Sequence, residues 1–188
     1  MRVIAGTLKG RRLRSPQWPG LRPTSDRLRE TLFNVLGHRV RGASVLDACA
    51  GTGALGIEAL SRGARTVVFI ESDRRATALI MQNLKACGTT EPCTVICGVL
   101  PDRLTRSDVL DRFDLILLAP PYADSRIGAI LAGVGGSLTT DGCLVLERTR
   151  RSRTPVVAGL RHVRMVTSGD SVLDFYNRIS RSPERKSE

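Results

Sequence analysis

From Gly42 onward the chain alternates short apolar runs with amphipathic stretches, and this alternation constrains the fold more than any other feature. Residues 44–49 (SVLDAC), 66–71 (TVVFIE), 93–98 (CTVICG), 113–119 (FDLILLA) and 143–147 (CLVLE) have the texture of buried strands. The fourth is apolar almost without a break, as a central parallel strand is. Between them, residues 53–62, 74–87 and 127–138 carry helical spacing, with Gly63 closing the first and glycines interrupting the last. Strand–helix alternation of this kind predicts an α/β parallel sheet with right-handed crossovers. Residues 161–169 and 172–179 predict a closing pair of strands.

Upstream of Gly42 the texture differs. Two β-like pieces around Gly6 and Gly10 predict a small hairpin, and Pro16, Pro19 and Pro23 punctuate the segment after it. Over residues 25–36, Leu28, Leu32, Val35 and Leu36 share one helical face, with Gly37 as the stop and Arg27 and Arg29 off that face. The expected organisation is a basic N-terminal extension (1–24), one α/β domain (25–180) and a charged, fraying tail (181–188). A chain of 188 residues buries a full core without disulfides or a structural metal.

Charge narrows the partners. The net charge is +11, distributed as +8 over residues 1–41, −3 over 42–147 and +6 over 148–188. Arginine supplies 26 of the 29 basic side chains, and its planar fork suits phosphate. A polyanion, foremost nucleic acid, is the expected partner; the plainer alternative is a solvated arginine coat. No apolar run reaches the ~18 residues of a membrane span, and the N-terminus lacks the apolar segment of a secretion signal, so a cytoplasmic location without membrane attachment is expected. Cys49, Cys87, Cys93, Cys97 and Cys143 lack zinc-site spacing, and only His38 and His162 could assist them, so no metal is expected and the cysteines are read as reduced, buried thiols.

Two loops carry chemistry. After the first strand, Gly51, Gly53 and Gly56 form G-x-G-x-x-G, preceded by Asp47 and followed by Glu71 at the end of the second strand. Glycines alone indicate a tight turn against a ligand. A carboxylate ahead of them favours a cationic ligand over a pyrophosphate, and an acid ending the next strand suits ribose hydroxyls. S-adenosylmethionine, with a sulfonium, an α-amino group and no phosphate, answers both; a nicotinamide dinucleotide is the rival. The fourth strand ends in Ala119-Pro120-Pro121-Tyr122. This is similar to the (D/N)-P-P-(Y/F/W) loop of methyltransferases acting on a planar nitrogen. There a side-chain acceptor and a rigid carbonyl draw off the amino protons while the aromatic ring stacks on the flipped base. Alanine at 119 supplies no acceptor.

Taken together, RVIAGTLKGRRLRSP, LRPTSDRLRETLFNVL, VLDACAGTGALGIEALSRGA, FIESD, LLAPPY and SGDSVLDFY resemble the RsmD-type family of bacterial methyltransferases, which act on N2 of guanine 966 in 16S ribosomal RNA. The resemblance runs from Arg2 to Tyr176. It implies a Rossmann-like S-adenosylmethionine-dependent methyltransferase fold, a mostly parallel seven-stranded sheet with a small N-terminal β-hairpin extension. It implies that Asp47, Ala50, Gly51 and Gly53 wrap the methionine end of S-adenosyl-L-methionine. Glu71, with Ser72 and Asp73, would hold the ribose, and Gly98 and Val99 the adenine. It places Ala119, Pro120, Pro121 and Tyr122 in the catalytic loop and Arg2, Lys9, Arg11, Arg12, Arg22, Thr24 and Arg27 on the RNA. The expected partner is 16S rRNA in the small subunit or an assembly intermediate, met by a monomer. The departure at Ala119 leaves a second reading, a catalytically impaired RNA-binding or assembly protein that keeps the cofactor pocket. Adenine-N6 and protein-amide methyltransferases share the Pro-Pro-aromatic loop and form a third.

Overall fold

Central strands whose side chains are apolar on both faces need cover on both, and the chain supplies it. The computed structural model describes residues 1–21, 23–105, 113–121 and 124–179. After α1 (Asp26–Leu36) the order is β1 (Ser44–Ala48), α2 (Ala54–Ser61), β2 (Thr66–Glu71), α3 (Arg74–Cys87), β3 (Cys93–Cys97), β4 (Phe113–Leu118), α4 (Ile127–Gly135), β5 (Leu138–Thr149), β6 (Leu160–Ser168) and β7 (Ser171–Arg178). They form a seven-stranded sheet in the order β3-β2-β1-β4-β5-β7-β6. Strands β1 to β5 run parallel, while β7 is antiparallel to β5 and to β6. The parallel sheet, the crossovers and the closing antiparallel pair match expectation. So do the bounds of β2 and α3.

Strand order reverses between β1 and β4, which creates the crevice where open α/β sheets take ligands. One face of the sheet packs Leu117 and Val145 against Leu28 and Leu32 of α1, Ile57 of α2 and Ile80 of α3. The other packs Ile116 and Leu146 against Ile130, Leu131 and Val134 of α4.

Several expectations meet the structure differently. Arg29 does not lie off the buried face: its side chain is fully buried, paired with Asp26 at 2.7 Å and with Glu58 of α2 at 3.6 Å. An apolar count cannot see a buried guanidinium held by an acid three residues upstream and a second on another helix. The N-terminal hairpin is present as expected: Arg2 and Arg12 form an antiparallel bridge, Val3 N–H donates to the Arg11 carbonyl at 2.9 Å, Gly10 N–H to the Val3 carbonyl at 2.9 Å and Leu13 N–H to the Met1 carbonyl at 3.0 Å. The same segment is also tied to α2. Glu58 accepts the N–H groups of Ile4 (2.8 Å) and Ala5 (3.0 Å), and Ser61 Oγ accepts that of Leu8 (3.0 Å). Finally, Cys93 and Cys97 are exposed, not buried; β3 is an edge strand with only one fully buried residue. All five cysteines are free thiols. β5 also begins five residues earlier than expected, at Leu138, and α4 ends at Gly135. The predicted tail, 181–188, lies outside the described residues.

Candidate active site

The loop from β1 into α2 makes its turn with backbone that few side chains tolerate. Cys49 holds φ 59°, Gly51 57° and Gly53 76°, all in the left-handed region that glycine enters freely. Gly56, one turn into α2, is there for packing: a Cβ on it would sit 2.2 Å from Phe69 of β2. The loop is tied to its neighbours through backbone. Ala50 N–H donates to the Ile70 carbonyl at 3.0 Å, and Gly51 N–H donates to the Glu71 carboxylate at 2.8 Å. The other Glu71 oxygen accepts Asp73 N–H at 2.9 Å and the Ser72 hydroxyl at 3.3 Å. Glu71 thus bridges the ends of β1 and β2, and a carboxylate with about four acceptor sites still has room for a ligand hydroxyl.

Above these strand ends lies a cavity of about 500 Å³, within the range of small-molecule sites. Its walls bring together many of the residues singled out from sequence: Ala50, Gly51, Glu71, Ser72, Asp73, Gly98, Val99, Ala119, Pro120, Pro121 and Thr24. Asp47 and Gly53 are not on the wall. Asp47 is fully buried beneath the loop, where one oxygen accepts Gly56 N–H at 2.8 Å and the other has no hydrogen-bond partner. Burial pushes its carboxyl up to about 8, opposed by the Gly56 bond and reinforced by Glu71. Asp47 therefore shapes the loop from behind. Burial likewise pushes the Cys49 thiol up to about 12, so it stays protonated beside the cavity.

Sequence reasoning missed several wall residues. Trp18, Pro19, Gly20 and Leu21, in the stretch assigned to the basic extension, line the cavity. The Arg75 guanidinium lies 5.0 Å from the centre of the Trp18 ring and pairs with Asp73 at 2.8 Å. Asp124 and Arg126 line it too, paired at 2.8 Å, and Asp124 N–H donates to the Pro121 carbonyl at 3.0 Å. Glu147, near the end of β5, is 9% exposed and accepts the Thr24 hydroxyl at 2.6 Å. An acid at the C-terminal end of a parallel strand was the available signal.

Among the described wall residues there are four carboxylates, Glu71, Asp73, Asp124 and Glu147, and two guanidinium groups, Arg75 and Arg126, each paired with one of those acids. That balance suits a cationic, phosphate-free nucleoside such as S-adenosylmethionine and disfavours the pyrophosphate of a dinucleotide.

Of the expected RNA contacts, Arg2, Lys9, Arg12 and Arg27 are exposed. Arg11 is exposed as well, but its guanidinium donates to the Cys87 carbonyl at the end of α3. Thr24 sits on the cavity wall. Arg22 and Tyr122 lie outside the described residues.

The family model described as "Conserved hypothetical protein 95" matches residues 1–177. A relative from Bacillus subtilis, "Putative rRNA methyltransferase YlbH", is 35% identical over 162 residues, covering 85% of this chain and 88% of that protein. Ribosomal RNA small subunit methyltransferase D of Escherichia coli is 51% identical over 84 residues, 45% of this chain and 42% of the relative. In three dimensions the chain is similar to "Putative methyltransferase yhhF" from Escherichia coli, with a TM-score of 0.83 and 30% identity, covering 95% of this chain and 97% of that one.

Proposed function

The chain belongs to the RsmD-type family, and from that premise we propose that it methylates the exocyclic N2 of a guanine in 16S ribosomal RNA, guanine 966 by resemblance, using S-adenosylmethionine. One observation carries the reading. The glycine loop after β1 and the Pro-Pro loop after β4 flank the strand-order reversal and line one acid-rich cavity.

Glu71, with Ser72 and Asp73, holds the ribose; Gly98 and Val99 border the adenine; Ala50 and Gly51 border the methionine end. When bound, the cofactor supplies a methyl group made electrophilic by its sulfonium. The chain's own residues orient the acceptor. Pro120 and Pro121 fix the loop backbone, and Tyr122 provides a stacking face for a base turned out of its helix. The basic extension, residues 1–24, and Arg27 grip phosphates, with Arg2, Lys9 and Arg12 foremost. The reaction takes place in the cytoplasm on an assembling small subunit, with the enzyme acting as a monomer.

Ala119 favours a second reading, an RNA-binding assembly protein of low activity, because removing one well-aimed polar group from a reaction site costs on the order of 100–1000-fold in rate. Transfer of labelled methyl to small-subunit RNA from cells lacking the modification separates the two. Label in RNA supports the first reading. Tight S-adenosylhomocysteine and RNA binding without label supports the second.

A further inference from the structure

Ala119 opens a specific gap, and the sheet register shows what stands beside it. Strand β4 pairs with β5 in parallel, and Leu118 is opposite Leu146. Extended by one residue past the end of β4, the same register sets Ala119 beside Glu147, and both line the cavity. Residues side by side in a parallel pair point to the same face, about 4.8 Å apart across the strands. Both residues continue the row of Leu117 and Val145, which faces α1 and the N-terminal segment. Thr24, from that segment, donates its hydroxyl to the Glu147 carboxylate at 2.6 Å, which fixes the side chain at the cavity wall. Glutamate is long enough to reach across one strand spacing to where a carboxylate at position 119 would project.

We propose that Glu147 accepts the amino group of the target guanine in this chain, filling the role that Ala119 cannot. The inference rests on the guanine-methylation reading. The other wall acid near the Pro-Pro loop, Asp124, is turned toward Arg126: it accepts Arg126 N–H at 2.9 Å, Arg126 Nε at 3.0 Å and Arg126 Nη2 at 2.8 Å. Guanine N2 exchanges one proton for the methyl. The nitrogen–carbon bond forms as the carbon–sulfur bond breaks and its electron pair stays with sulfur, while the proton passes to the Glu147 carboxylate and then to water. A site built to accept an N–H also rejects an analogue that lacks it, so Glu147 doubles as the reader of the guanine amino group.

The experiment compares RNA fragments bearing guanine or inosine at the target position; inosine differs only in lacking the amino group. Binding is read by fluorescence anisotropy with S-adenosylhomocysteine present, and transfer by labelled methyl. The native chain binds the guanine RNA about tenfold or more tightly over inosine. Glu147→Met removes that preference and lowers transfer about 100-fold, with Glu147→Leu serving where Met does not fold. Glu147→Gln, which keeps an acceptor oxygen but cannot take the proton, retains the preference and lowers transfer about 100-fold or more. Ala119→Asp added to Glu147→Met recovers about tenfold or more, which a merely structural role for Glu147 would not permit.

Loss of the guanine preference with this recovery supports the inference. A guanine preference that survives Glu147→Met, or none in the native chain, overturns it while leaving guanine methylation standing where label still enters RNA. Label from Ala119→Asp but none from the native chain also overturns it, since the gap is then uncompensated. No label from any variant overturns the guanine-methylation reading, and the inference with it.

Discussion

The buried carboxylate of Asp47 accepts the backbone N–H of Gly56 at 2.8 Å, tying the end of β1 to the first turn of α2 across the glycine loop. Burial holds that carboxyl at about 8, against an ordinary value of 3.8. A carboxyl raised on folding contributes stability that is full below about 4, declines as pH rises and is gone above about 8. Asp47→Asn keeps an acceptor for Gly56 but cannot ionise. Its denaturant midpoint should therefore vary less between pH 4 and pH 8 than that of the native chain. Parallel curves for the two proteins would show that Asp47 does not titrate in this window.

Glu58 is the anchor of the N-terminal segment. Its fully buried carboxylate faces Arg29 and Arg62 and accepts two backbone N–H groups from that segment. Removing one member of a buried pair strands the other charge, so Glu58→Ala should cost about 3–5 kcal/mol in urea unfolding. Limited proteolysis should then cut within the first thirteen residues before the sheet unfolds. Unchanged stability would show that the segment is held mainly by Val3, Leu8 and Leu13, its buried apolar residues.

The close contact of α2 with β2 predicts a packing penalty. A methyl at position 56 would meet both Phe69 and Val67 within 3 Å. Gly56→Ala should destabilise the fold by about 1–3 kcal/mol through overpacking, measured by chemical denaturation.

The same elements separate what is legible in the sequence from what is not. The bounds of β2 and α3 are legible because a continuous apolar run and a 3.6-residue period are local signals, and Asp73 and Gly88 punctuate the helix as its caps. The glycine loop is legible because its spacing is tied to a strand–helix junction. The burial of Arg29 is not, because Glu58 and the Arg2 carbonyl, which with nearby Asp26 surround its guanidinium, are brought to it only by packing. The start of β5 is hidden because residues 138–142 (LTTDG) have the composition of a turn, yet Leu138 pairs with Phe113 across a register shift. The part played by Trp18 and Leu21 in the cavity is invisible because it depends on how an irregular segment folds back over the sheet. In the sequence Glu147 is only the end of a strand; its adjacency to Ala119 is a property of register.

Because Trp18 lines the cavity and lies against Arg75, the proposed cofactor site should depend on the N-terminal segment. Losing an aromatic wall contact with a bound ligand, worth about 0.5–1 kcal/mol, corresponds to roughly two- to fivefold in affinity. Trp18→Ala should weaken S-adenosylhomocysteine binding by at least that factor in calorimetry, and an unchanged affinity would show that Trp18 plays no part in the pocket.

Exposed Arg2, Lys9 and Arg12 should carry phosphate contacts. Each such contact steepens the fall of log K with log salt by about 0.7–0.9 units. Replacing all three with glutamine should flatten the slope for small-subunit RNA by about two units. An unaltered slope would mark the stretch as solvated surface.

The most direct measurement of the central claim is nucleoside analysis of small-subunit RNA, taken from cells lacking the modification and incubated with the native chain and S-adenosylmethionine. One new methylated nucleoside, N2-methylguanosine, is expected at a single position mapped by mass spectrometry. RNA that stays unmodified while S-adenosylmethionine is bound, or a methyl found on adenine, would contradict it.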